Sequence, residues 1–141
     1  MVSLIKKILV PIDGSKNSLR GLDQAISLAR QCGAVIVGLY VLNVPAGIVL
    51  NKKKLESGSI KAVEIMMDAA KTKAARHGIQ LTYKIIKGVD PGYDIIKYSK
   101  KHKSDLVIVG ARGLGGIKEA FFGSVSNYVL HKSKIPVMVV K

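Results

Sequence analysis

Backbone amides and hydroxyls able to hold an anion are concentrated between residues 110 and 126, where the chain reads GARGLGGIKEAFFGSVS. The stretch carries five of the chain's 14 glycines and begins where the apolar run DLVIVG ends. Glycines in such number mark either turns with unusual dihedrals or backbone that must come close to something. Gly123, Ser124, Val125 and Ser126 open an expected helix. The first N–H groups of a helix lack intrahelical partners, and its dipole places roughly half a positive charge there. Such a start holds phosphate well. Gly123 would admit phosphate oxygens close to the backbone, Ser124 and Ser126 add hydroxyl donors, and Gly110 and Gly113 would let a sugar or phosphate pass without meeting a Cβ. The serines also suit plain helix capping, which is compatible with anion binding. No Gly-Lys-Ser/Thr follows a glycine at P-loop spacing, and no GxGxxG follows the first strand, so neither common nucleotide fingerprint applies.

The elements that must position these groups alternate along the chain. KKILVPI (6–12), AVIVGLYVL (34–42), QLTYKIIK (80–87), DLVIVG (105–110) and IPVMVV (135–140) read as strands. Between them, residues 17–31 place Leu19, Leu22, Ile26 and Ala29 at helical spacing, with Ser15 or Ser18 as cap and Gly33 as stop. Residues 59–77 form an amphipathic helix closing at Gly78, and Asp90-Pro91 starts another that runs to about Lys103. The last helix spans about Ser124 to Lys132. Residues 42–59, with Pro45, Gly47 and a lysine triplet, read as a long connection and a candidate lid. Alternating helices and continuously apolar strands predict an α/β fold, an open doubly wound parallel sheet covered on both faces. With strand order 3-2-1-4-5, the ends of the first and fourth strands, PIDGS and GARGLGG, converge on the crevice where strand order reverses.

Length and composition narrow the class. The 141 residues read as a single domain, 1–141, and 48% hydrophobic content argues against disorder. No apolar run approaches the roughly 20 residues of a membrane span, and the N-terminus lacks a signal-peptide core, which places the protein in the cytoplasm. A lone Cys32 cannot build an internal disulfide and reads as a small buried apolar group. Lys and Arg number 23 against nine Asp and Glu, for a net charge of +14. That field attracts polyanions, but no aromatics interleave with the lysine groups, and several groups fall at helix C-termini where the dipole favours cations. A specific nucleic-acid partner is not expected. His77, His102 and His131 show no metal-ligand spacing. Phe121 and Phe122 read as packing before the second glycine corner.

The spacing G-x-x-G, nine residues, then G-S, filled by Gly110, Gly113, Gly123 and Ser124, resembles the nucleotide-binding motif of the universal stress protein family. The resemblance extends through ILVPIDGS, VLNV, DLVIVGARG and PVMVV, over the whole chain. It implies a Rossmann-like five-stranded fold and the branch of the family that binds ATP. It also implies a site in which Pro11 and Asp13 end the first strand, with Asp13 accepting from ribose hydroxyls. Val41 would line the adenine pocket and offer its backbone to the base. Gly110, Arg112 and Gly113 would border ribose and the first phosphate, and Gly123, Ser124, Val125 and Ser126 would hold the phosphate tail. Asp13 also suits a simple turn cap, and Arg112 an exposed loop charge. The resemblance further implies a homodimer pairing the last strands along Val137–Val140, an edge that would otherwise be bare.

These readings converge on a regulatory protein of the stress response that binds ATP, AMP or ADP, with Mg²⁺ as a companion to a triphosphate. The rival class is a weak ATPase or phosphotransferase. Such an enzyme needs a positioned metal and a group that orients the nucleophile. Asp13 is the one obvious carboxylate in the crevice, so a non-enzymatic role is expected.

Overall fold

Nine elements follow one another in strict alternation: β1 (Lys7–Pro11), α1 (Lys16–Cys32), β2 (Val35–Asn43), α2 (Lys52–Arg76), β3 (Leu81–Gly88), α3 (Pro91–Lys101), β4 (Leu106–Gly110), α4 (Ser124–Lys132) and β5 (Val137–Val140). The computed structural model describes residues 4–43, 52–113 and 122–141, with the side chains of 52–59 outside that set. All strand pairs are parallel, in the order β3-β2-β1-β4-β5.

The central strand shows why its sequence is apolar without a break. Ile8, Leu9 and Val10 are each fully buried, and the pleat sends neighbours to opposite faces. Ile8 and Val10 join Leu22, Ile26, Ile36 and Met67 beneath α1 and α2. Leu9 joins Leu39, Ile95, Ile96, Val107 and Val129 beneath α3 and α4. A sheet with two covered faces has no polar side to display, hence no alternation.

Local chemistry sets the helix ends. The Ser15 side chain caps α1 by accepting from the Ser18 N–H at 3.2 Å, and Gly33 closes the helix in the left-handed region at φ 69°. Asp90 caps α3 ahead of Pro91, accepting from the Tyr93 N–H. Three expectations need correction. The second helix starts at Lys52 rather than Ser59, so the lysine triplet is helical. Gly58 costs only about 1 kcal/mol inside a helix, which packing further along can offset. The rest of the candidate lid, residues 44–51, lies outside the described residues, as does most of the excursion between the two glycine corners, including Phe121. Leu19 is 40% exposed instead of facing the core. The buried stripe of α1 is Ser18, Gly21, Leu22, Ala25, Ile26 and Ala29, with Gly21 lying against β4, and Leu19 falls beside it. Cys32 is exposed at the last turn of α1, not buried.

Candidate functional site

The crevice opens where two neighbouring strands part. β1 stays in register with β2 as far as Pro11–Leu39, and the Ile12 N–H continues the ladder by donating to Leu39 O at 2.9 Å. With β4, β1 pairs only at Ile8–Leu106 and Leu9–Val107. Beyond Leu9 the strand ends are therefore unjoined, and a cavity of about 270 Å³ lies across them.

Each of the residues singled out by sequence borders this one cavity: Pro11, Asp13, Val41, Gly110, Arg112, Gly113 and Gly123–Ser126. Its polar half is held together by backbone. The Gly123 N–H donates to Ala111 O at 2.7 Å, which clamps the start of α4 against the end of β4. Ser15 Oγ donates to Arg112 O at 3.4 Å, tying the corner after β1 to the corner after β4. The two glycine corners thus form one surface. α4 begins with no side-chain cap bond, which leaves its first turn suited to an anion brought from outside.

Three residues do different work from that expected. Ser126 is 2% exposed, and its hydroxyl donates to Ala111 O at 2.7 Å, with Gly123 O at 3.1 Å. A hydroxyl has one proton, so this one is committed to the clamp, and Ser126 can offer a ligand only its backbone N–H. A Cβ on Gly110 would lie 2.7 Å from the backbone of Asn17 and Ser18, so this glycine makes room for α1 rather than for a ligand. A Cβ on Gly113 would strike Asp13 Oδ2, so this one makes room for the carboxylate. Asp13 has both roles open to it at once. Its Oδ1 accepts the Ser15 N–H at 2.8 Å as a turn cap, while Oδ2 faces Gly113 at the cavity.

The apolar half is formed by Leu39, Tyr40 and Val41 from β2 with Pro91 and Ile95 from α3. Polar corners facing an apolar slot suit a ligand with a flat apolar end and an anionic or hydroxylated tail.

The Universal stress protein family model matches residues 4–141. The chain belongs to the universal stress protein family. It is 33% identical over 153 residues to the universal stress protein YxiE of Bacillus subtilis, covering 98% of this chain and all of that one. Among solved structures it superposes on universal stress protein UspA from Lactobacillus plantarum with a TM-score of 0.87 at 25% identity, covering 99% of this chain and 100% of that one. It also superposes on a universal stress protein in complex with cAMP, with a TM-score of 0.74 at 25% identity and coverage of 99% and 98%.

The slot from α3 is what sequence reasoning missed in this universal stress protein. Pro91 was visible only as a helix starter, and Ile95 carried no signal of its own. Leu39 and Tyr40 sit in a strand whose apolar run is unbroken, so nothing local distinguishes a cavity wall from core.

Proposed function

We propose that this universal stress protein binds an adenine nucleotide, ATP or AMP, in the crevice between β1 and β4 and serves as a cytoplasmic regulatory sensor rather than as an enzyme. One observation carries the reading. An uncapped helix start and two glycine corners meet a single carboxylate, Asp13, on one side of a cavity whose other side is an apolar slot. In this arrangement the base lies between β2 and α3, its edge against the Val41 backbone. Ribose hydroxyls donate to Asp13 Oδ2, Arg112 faces the first phosphate, and the N–H groups of Ser124, Val125 and Ser126 receive the phosphate tail, which is the ligand class such helix starts favour. The cAMP bound to a family member at 25% identity supports an adenine nucleotide here.

Asp13 is the one carboxylate among the described residues that line the cavity. A magnesium ion accompanying a triphosphate would take its ligands largely from phosphate oxygens, and among the described lining residues no second acid stands ready to orient a nucleophile, which favours binding over turnover. The partner in this reading is a second copy, paired along Val137–Val140, where the exposed Met138 marks the bare edge of β5.

Mass spectrometry of small molecules released from the native protein tests the ligand class. A near-stoichiometric adenine nucleotide is expected, and a protein that releases none and takes up none on titration would sink the proposal. Hydrolysis that exceeds the Ser124→Ala/Asp13→Ala background by orders of magnitude would move the protein to the enzyme class.

The two serines should separate. Ser124 is exposed and makes no cap bond, so Ser124→Ala should weaken nucleotide binding about fivefold, one ordinary hydrogen bond, with the melting temperature unchanged. Ser126→Ala removes the clamp hydroxyl and should cost about 1 kcal/mol of stability even without ligand. Calorimetric titration and thermal melts of both variants read the two effects separately.

A further inference from the structure

We propose that the end of the sheet opposite the cavity binds the phosphate backbone of duplex nucleic acid without reading its sequence. In a parallel α/β fold every helix runs back against the strands, so all four helix C-termini collect at that end. Each of them carries basic residues in its last turn: Arg30 on α1, Lys73 and Arg76 on α2, Lys100 and Lys101 on α3, His131 and Lys132 on α4. Helix dipoles explain some of this. Lys6, Lys103 and Lys134 add charge from outside the helices, on the approaches to β1, β4 and β5, and all three are exposed.

Beneath β1, β4 and β5 the exposed cations are Lys6, Lys100, Lys101, Lys103, Lys132 and Lys134. Among the described residues the one acid at those corners is Asp105, whose Oδ2 accepts the backbone N–H groups of Lys6 and Lys7 at 2.9 Å. Two helix C-termini add about one negative charge between them. The six lysines therefore exceed the local negative charge by about four.

Lys103 adds an independent sign of function. The corners after α1 and α2 turn through the left-handed region on glycines, Gly33 and Gly78, whereas the corner after α3 does so on Lys103 at φ 52°. A lysine there is strained where glycine would not be, and strain retained at a surface position points to a use for the side chain.

Lysine heads are point charges that match phosphates, not forks that read base edges. Tyr98, near the end of α3, is half-buried and stacked on His102 with centroids 4.0 Å apart, so it offers no platform for unpaired bases. Three strand ends spaced about 4.8 Å apart make an edge about 10 Å wide, over which a duplex presents about six phosphates from its two strands. That favours a duplex.

The test is fluorescence anisotropy of the full chain with two labelled 20-base-pair DNA duplexes of unrelated sequence, from 50 to 200 mM salt. The variant is Lys101→Gln/Lys103→Gly/Lys134→Gln, in which glycine suits the left-handed turn and so preserves the fold, as checked by circular dichroism. Both duplexes should bind wild type within about twofold of each other. In the variant, the log–log salt slope should become shallower by about 2.7, since each phosphate that a lysine ceases to neutralise lowers it by about 0.9. The control Lys61→Gln/Lys71→Gln/Lys84→Gln removes the same charge elsewhere and should leave the slope near wild type. An equal change in the control would overturn the proposal, since net charge alone would then suffice. So would no duplex binding at 50 mM salt, or binding to anionic phosphatidylglycerol vesicles without binding to duplex.

Discussion

Asp13→Asn is expected to weaken adenine-nucleotide binding by about 10- to 100-fold and to leave the nucleotide-free protein as stable as wild type. The magnitude is that of losing hydrogen bonds to a charged acceptor, about 1.5–3 kcal/mol. Stability is preserved because the amide keeps an oxygen for the Ser15 N–H, which now donates to Oδ1 at 2.8 Å. Asp13→Ala should lose the same affinity and a further 1 kcal/mol or so of stability, since the turn cap goes too. Gly113→Ala should reproduce the binding defect without altering the acid, because its new Cβ would occupy the place of Asp13 Oδ2. Isothermal titration with ATP and AMP measures all three. Dissociation constants within twofold of wild type for both Asp13→Asn and Gly113→Ala would remove Asp13 from the site.

Gly110→Ala is the largest stability effect expected from a single methyl group. The added carbon would sit 2.7 Å from backbone atoms of Asn17 and Ser18, and neither backbone can yield without moving the first turn of α1. Overpacking of that kind reaches about 3 kcal/mol, or about 10 °C in melting temperature for a chain of this size. The melt is done on nucleotide-free protein, so that ligand binding plays no part. An unchanged midpoint there would show that the glycine serves the ligand and not the helix. Gly123→Ala is the contrast. Its added carbon meets Ala111 O and Arg112 Cα at 3.5 Å, ordinary contact, and at φ −65° the backbone suits any residue. Its stability should stay within about 0.5 kcal/mol of wild type.

Much of this is legible in the sequence alone. The αL stop at Gly33, the caps at Ser15 and Asp90, and the start of α4 after Gly123 depend on dihedrals and hydrogen bonds within a few residues, so they are written locally. Strand runs and helix stripes are likewise local patterns, and their alternation alone predicts the doubly wound sheet that the structure has. The G-x-x-G and G-S spacing located the two corners of the cavity because its residues are neighbours along the chain.

What the tertiary structure decided is everything that depends on distance between elements. Ser15 and Arg112 lie 97 positions apart, and no local pattern could reveal that they join two corners. Only the approach of α1 to β4 shows that Gly110 yields to a helix, or that Leu19 misses the buried stripe. Only the clamp onto Ala111 takes the Ser126 hydroxyl away from a ligand. The collection of lysines at one pole is of the same kind, for it follows from parallel topology, which turns separate helix ends into a single face. Short-range chemistry determines which element forms and where it stops. Which side chains meet is settled by packing between segments far apart in the chain, where a single missing Cβ can be required by either a ligand or a neighbour.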